Sequence, residues 1–393
     1  MVEQATSPLQ RPPGADRGLS QGTTATPDAQ KPALGQQAVP IVHVAGSHRD
    51  VGRQIGAAQG EAVHRMIASY QRVFEQEGNR IAITDWDEAV LHSRKYLPFA
   101  EESVPQYVDE LQGIADGADA DFTDLLVLNC AEALTSDSLH IGCTSLAAAP
   151  EVTEDGSLLI GHNEDWLPDD IENVYLVHAR PEGEPAFLAI TYGGLLPNIG
   201  FNECGIAQCC DSVYPDDARI GVPRTFVSRA VLAARTPAQA IRACLDRRRA
   251  AGYNHLIVHE SGEMYNVEVS AGEFDVIYGI DGLLVHTNHY LSPRMQTVEK
   301  NSHELIDSRV RYNRATRLMG SRTGRLTQRD FRAILSDHVN HPQSICNHIN
   351  LDEELLDRGQ TIASLMINLS GRTMLVAWGP PCEARYFSFQ LEV

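Results

Sequence analysis

Several protein classes are excluded by what this chain is short of. Its eight cysteines (Cys130, Cys143, Cys204, Cys209, Cys210, Cys244, Cys346 and Cys382) form no Cys-x-x-Cys pair and are too sparse in 393 residues for a disulfide framework. They read as reduced thiols of a cytoplasmic protein. No uninterrupted apolar run is long enough to span a bilayer, and the first residues lack the basic start and apolar stretch of a signal peptide. No membrane partner is expected. Positive charge is scarce as well: 32 Lys and Arg against 52 Asp and Glu give a formal charge of -20. Such a chain repels phosphate backbones, which argues against nucleic acid as a partner. There is no internal repeat, and no alternating strand–helix rhythm of the kind that builds a doubly wound parallel sheet.

What is present suits a globular enzyme, with 43% hydrophobic and 21% charged residues. Residues 1–37, rich in Pro, Gly, Gln, Thr and Ala, offer too few apolar side chains to offset the entropy of ordering them, and are expected to form a disordered leader. Residues 38–142 read as a helical segment. Val51, Ile55, Val63, Met66 and Ile67, and then Val108, Leu111, Ile114 and Ala115, recur at near-helical spacing, and about four helices are expected, broken at Pro98 and Pro105. Residues 143–393 switch to short strands, among them Phe187–Tyr192, Met264–Val269, Phe274–Tyr278 and Thr373–Trp378. Helices interrupt them after the Thr236-Pro237 cap and near Gln328. This order predicts an α+β fold: two mostly antiparallel sheets covered by helices, a four-layer αββα sandwich.

The most informative residues are Gly142-Cys143-Thr144-Ser145, followed by Gly161-His162-Asn163-Glu164-Asp165-Trp166. A lone cysteine is more often a buried small residue than a nucleophile. Here a glycine precedes it, leaving its carbonyl uncrowded, and short hydroxyls follow. If the Gly142–Cys143 bond is cut, Cys143 carries both a thiol and a free α-amine. An α-amine has a reference pKa of about 7.7, close enough to neutrality to take the thiol proton. Asp165 is then either the partner of that amine or the cap of a turn. Asn288, in Val285-His286-Thr287-Asn288-His289, is either an oxyanion donor or ordinary strand-end chemistry. Arg309, in Asp307-Ser308-Arg309-Val310-Arg311, is either a cation beside the site or part of a solvated helix face.

These motifs, with His286-Thr287-Asn288-His289, Ser308-Arg309, Glu110-Leu111-Gln112-Gly113-Ile114-Ala115 and Leu128-Asn129-Cys130-Ala131-Glu132, occur in an order that resembles the isopenicillin N acyltransferase family of N-terminal-nucleophile hydrolases. The resemblance spans roughly Val42 to Val393. It implies cleavage before Cys143, the αββα fold, and hydrolysis or transfer of acyl groups. Carried over by motif, Cys143 is nucleophile and terminal base, Asp165 the partner of the amine, Asn288 an oxyanion donor and Arg309 a cation near the thiol. Thr144, His162, Asn163, Tyr192, Asp211 and Ser308 are expected to support the site or bind substrate. Two positions depart from the pattern: His162 stands where related hydrolases carry Arg, and Asp211-Ser212 where they often have Asn-Ser. An ionised Asp211 cannot donate to an oxyanion.

The expected substrate is a small acyl amide, an N-acyl amine or amino acid, with acyl transfer from acyl-CoA to an amine as the alternative. The cleaved N-terminal fragment is the expected protein partner. His338, His341, Cys346 and His348 raise a zinc reading, but their spacing fits no standard finger, and no metal or other cofactor is expected. A papain-like protease would place its nucleophile at a helix start, whereas Cys143 opens a strand. A non-enzymatic interaction protein would keep its chain uncut.

Overall fold

The computed structural model describes residues 33–76, 83–135, 142–300, 302–322, 324–354 and 357–392. Ahead of Cys143 the described residues form strand β1 (Ile41–Gly46) and helices α1 (His48–Glu75), α2 (Trp86–Ser93), α3 (Leu97–Ser103), α4 (Pro105–Ala118) and α5 (Phe122–Leu134). That is one helix more than the periodicity suggests, and β1 was not expected. The helices are interrupted just ahead of Pro98 and Pro105, as expected, and each proline occupies the first turn of the next helix, α3 or α4, where a missing N–H goes unused. Helices α1 and α4 meet backbone to backbone. A Cβ at Gly52 or Gly56 would overlap the carbonyls of Glu110 and Ile114, and one at Gly113 or Gly117 those of Arg49 and Arg53. Contacts rise together along both helices, so the two run parallel.

After Cys143 come strands β2 (Thr144–Ala148), β3 (Leu159–Trp166), β4 (Val174–Pro181), β5 (Phe187–Tyr192), β6 (Ile199–Asn202) and β7 (Ile206–Asp211), then helices α6 (Arg224–Val231) and α7 (Pro237–Cys244). Strands β8 (Tyr253–His259), β9 (Met264–Val269), β10 (Phe274–Tyr278) and β11 (Leu283–His286) follow, then α8 (Ile306–Gly320) and α9 (Gln328–Leu335), and finally β12 (Gln360–Asn368), β13 (Thr373–Trp378) and β14 (Tyr386–Gln390). One sheet runs β1-β4-β5-β6-β7-β8-β9-β10 and the other β11-β2-β3-β12-β13-β14. Only β1 pairs in parallel, with β4, among these described strands.

Side-chain alternation along the strands sorts the layers. Ala147, Ile160, Leu365 and Val376 belong to the large core that includes the eight-stranded sheet, while Leu146, Ala148, Leu159 and Met366 join residues of α8 and α9. Helices α1 and α7 contact the outer side of the eight-stranded sheet, and α8 and α9 contact the six-stranded one. The expected αββα order is present.

Residues Ala33–Val393 form one unit. Residues 1–32 of the expected leader lie outside the described residues. Leu34–Gln36, expected within it, is a 3-10 turn whose Gly35 carbonyl accepts a hydrogen bond from the Arg385 N–H at 2.8 Å. The 38–142 segment is woven into the same unit as the rest, because β1 extends the sheet at β4.

Candidate active site

Strands β2 and β3 pair antiparallel, with Thr144 opposite Asn163 and Ser145 opposite His162. This register sets Cys143, at the mouth of β2, beside Glu164. Cys143 is buried, and its Sγ lies 3.7 Å from Glu164 Oε2. Burial first, then the nearby carboxylates of Glu164, Asp211 and Asp165, push the thiol well above its ordinary range, and the Asp165 backbone N–H opposes them. In the uncut chain the sulfur therefore carries its proton and needs a base.

Glu164, not singled out from the sequence, is the nearest acceptor. Its Oε2 is 2.9 Å from His162 Nε2, and its Oε1 accepts the Tyr192 hydroxyl at 3.0 Å. His162 and Tyr192 thus reach the thiol through Glu164. Behind them Ser145 Oγ contacts His162 Nδ1 at 2.9 Å and donates to Asp211 Oδ1 at 2.8 Å. Asp211 Oδ2 lies 3.3 Å from His286 Nδ1, and His286 Nε2 lies 2.9 Å from Glu268 Oε1. Burial opposes charge on His286, but Asp211 and Glu268 outweigh it and raise its pKa to about 9. Asp211 is held below the usual carboxylate range: burial works the other way, and contacts with His286, His162 and Ser145 prevail. Asp211 is thus committed to a buried network behind the thiol.

The backbone N–H of Cys143, the atom that cleavage would turn into an amine, donates to Asn288 Oδ1 at 2.8 Å. That oxygen also accepts from Arg311 Nη2 at 2.8 Å, while Asn288 Nδ2 donates to the Ser212 carbonyl at 3.1 Å. The side chain is oriented by these three bonds, so its acceptor faces the scissile nitrogen. One of the two Nδ2 hydrogens of the expected oxyanion donor goes to Ser212. Ser308 Oγ accepts the Asn288 backbone N–H at 2.7 Å and fixes the loop carrying the amide.

The cation at the site is Arg311. Its Nη1 donates to the Cys143 carbonyl at 2.5 Å and to Thr144 Oγ1 at 3.0 Å. Arg309, expected there, instead pairs with Glu299 at 2.7 Å and is part-exposed. Two residues along α8 turn a side chain through roughly 200°, which puts only one of the pair on the inward face. Gly142 has a physical reason to lack a side chain: a Cβ would collide with the Arg311 guanidinium and stand 2.6 Å from Asn288 Oδ1.

Asp165 lies in the interior of β3 on the face opposite Glu164. Its Oδ1 accepts the Thr361 hydroxyl at 2.6 Å, and its Oδ2 is buried without a hydrogen-bond partner. Burial, with Glu164 and Asp211, raises its pKa well above normal, against Arg311 and Thr361. In the uncut chain the Cys143 N–H is held by Asn288. Asn163 also points away from the thiol, donating to the carbonyls of Leu335 and Ile345 at 2.9 and 2.7 Å.

A cavity of about 350 Å³ opens onto Gly142, lined by Asn288, Ser308 and Arg311 at its base and by Asp307, Glu353 and Asp357 among the remaining residues. Around Tyr192, a narrow cleft is lined by Tyr70, Trp166, Tyr253 and the end of α5, including Glu132, which is ion-paired with Arg224. No helix among the described residues is long and apolar enough to cross a membrane.

Residues 152–383 match the family model described as acyl-coenzyme A:6-aminopenicillanic acid acyl-transferase. The chain is 25% identical over 392 residues to the beta-alanyl-dopamine/carcinine hydrolase of Drosophila melanogaster, covering 88% of this chain and 95% of that protein. It is 27% identical over 281 residues to the 40 kDa form of the acyl-coenzyme A:6-aminopenicillanic-acid-acyltransferase of Emericella nidulans, covering 70% and 76%. Among solved structures, penicillin V acylase from Agrobacterium tumefaciens aligns with a TM-score of 0.43 at 14% identity, covering 63% of this chain and 86% of that one. The conjugated bile acid hydrolase of Clostridium perfringens aligns with a TM-score of 0.43 at 12% identity, covering 64% and 97%.

Proposed function

The chain belongs to the acyl-coenzyme A:6-aminopenicillanic acid acyl-transferase family, and on that premise we propose that it is a self-cleaving thiol amidohydrolase whose substrates are small acyl amides bearing a cationic amine. The observation that carries this reading is the set of groups converging on one residue, Cys143. Asn288 Oδ1 holds the Cys143 nitrogen, Arg311 holds the Cys143 carbonyl, and Glu164 receives the thiol.

In self-cleavage, Glu164 takes the thiol proton and Sγ bonds to the Gly142 carbonyl carbon. The C–N bond breaks and its nitrogen gains a proton, leaving a Gly142 thioester and a free Cys143 amine. Water hydrolyses the thioester, releasing a Gly142 carboxylate and restoring the thiol. Turnover repeats the sequence on an external amide: the α-amine accepts the thiol proton, Sγ takes the acyl group, and the leaving amine departs protonated. Water at the thioester gives hydrolysis; an amine gives transfer.

The acidic lining of Asp307, Glu353 and Asp357 supports a cationic amine. The same lining disfavours the phosphates of acyl-CoA, which places hydrolysis ahead of CoA-dependent transfer.

Intact-mass spectrometry of wild type, Cys143→Ala and Glu164→Gln tests the first step. Wild type is expected as two fragments starting at Met1 and Cys143. Cys143→Ala stays in one piece and turns over no acyl amide, and Glu164→Gln is cut about 10²–10⁴-fold more slowly. Complete cutting of the alanine variant refutes the mechanism. A screen of β-alanyl amides against neutral and anionic acyl amides tests the substrate class, with the anionic ones expected to be poorest.

A further inference from the structure

Away from the thiol, the loop after α9 and the turn between β13 and β14 bring four metal-binding atoms together. His338 Nε2 lies 3.2 Å from His348 Nε2, Cys346 Sγ lies 3.5 Å from His348 Nε2 and 3.5 Å from Cys382 Sγ, and Cys382 Sγ lies 3.4 Å from His348 Nε2. All four lie within 4.8 Å of one another. A tetrahedral zinc with Zn–S of about 2.3 Å and Zn–N of about 2.05 Å spaces its ligand atoms by about 3.8 Å for two sulfurs, 3.6 Å for sulfur and nitrogen, and 3.4 Å for two nitrogens. The four short edges fall within a few tenths of an ångström of those values. The sulfur separation is far from the roughly 2.05 Å of a disulfide.

We propose that Cys346, Cys382, His338 and His348 bind one Zn²⁺ ion in a closed structural site. Binding sends the two thiol protons to solvent, so two thiolates and two neutral imidazoles balance the dication. His338 and Cys382 are exposed and give the ion a way in, while Cys346 is buried and anchors the inner side. His341, its ring 5.2 Å from that of His348, stays outside the ligand set. The segment from His338 to His348 matches no finger spacing because its fourth ligand comes from Cys382, on another turn.

The ion has work for the loop to do. The Ile345 carbonyl receives Asn163, and the Asn347 backbone brackets Thr361, whose hydroxyl bonds Asp165. Zinc would clamp this wall of the active site without touching the reacting bond.

The full chain, purified reduced from zinc-supplemented cells, is expected to hold about one zinc by elemental analysis, to keep it through gel filtration and to release it when an organomercurial titrates the thiols. Cys382→Ser and His338→Ala, at exposed positions, are expected to fall below about a tenth of that content with unchanged far-UV circular dichroism. Cobalt-loaded wild type should show the visible bands of a tetrahedral thiolate site, and the variants should not. The proposal is overturned if reduced wild type holds no zinc and takes up neither zinc nor cobalt, or if both variants keep full zinc. A mass deficit of two hydrogens mapped to a Cys346–Cys382 bond overturns it as well.

Discussion

At the scale of single residues, side-chain direction decides which of two similar neighbours reaches Cys143. Arg311 bonds the Cys143 carbonyl, whereas Arg309 pairs with Glu299 at the surface. Arg311 also bonds Asn288 and so positions the cysteine, and Arg311→Ala is expected to slow self-cleavage by about 10²-fold, on the scale of misplacing a reacting group. Arg309→Ala should change it by less than about twofold, as befits a part-exposed ion pair. Gel quantification of precursor against time separates the two, and equal effects would remove Arg311 from the site. The same issue limits what could be read from the sequence. Gly142 and Cys143 stand out in the sequence because the proposed cleavage demands those residue types in that order. Glu164 does not, since it stands next to Asp165, and only the pleat of β3 and its register with β2 tell which carboxylate faces the sulfur. Asn288 was legible as a site residue, but which end of its amide faces Cys143 depends on Ser212 and Arg311, far away in sequence.

At the scale of elements, periodicity located most helices and strands, and misjudged those whose reason for existing is tertiary. Strand β1 is short, and forms because β4 offers it an edge. Strand β14 likewise pairs only with β13. The α1–α4 contact is the clearest case of packing overriding propensity. Alanine in place of a mid-helix glycine ordinarily stabilises by up to about 1 kcal/mol. At Gly56 the added carbon meets the Ile114 carbonyl and the Ala118 N–H, so Gly56→Ala is expected to destabilise by about 1–3 kcal/mol. At Gly60 the nearest atom to such a carbon is Ala118 Cα at 3.6 Å, and Gly60→Ala should be neutral or stabilising. Urea titrations of both variants check the opposite signs.

At the scale of the whole molecule, the polar network between the sheets ties stability to pH. His286 has a folded pKa of about 9, above its ordinary 6.5, so its contribution is complete below about pH 6.5 and disappears as pH rises through 9. Asp211, held below its ordinary value, contributes above about pH 3.9 and loses that contribution as pH falls through its lower folded value. Wild type is expected to lose Tm between pH 6.5 and 9, with a shallower decline in His286→Gln; parallel slopes in thermal melts would detach His286 from this role. The placement of β1 at β4 carries one more consequence. Once the bond before Cys143 opens, the larger piece lacks β1 and α1, the smaller holds no complete sheet, and recovery of the eight-stranded sheet with its helix layer from denaturant becomes an encounter between two molecules. The uncut chain should renature at a rate independent of dilution, the mature form at one that falls with it, and a preparation once boiled would keep that record of its age.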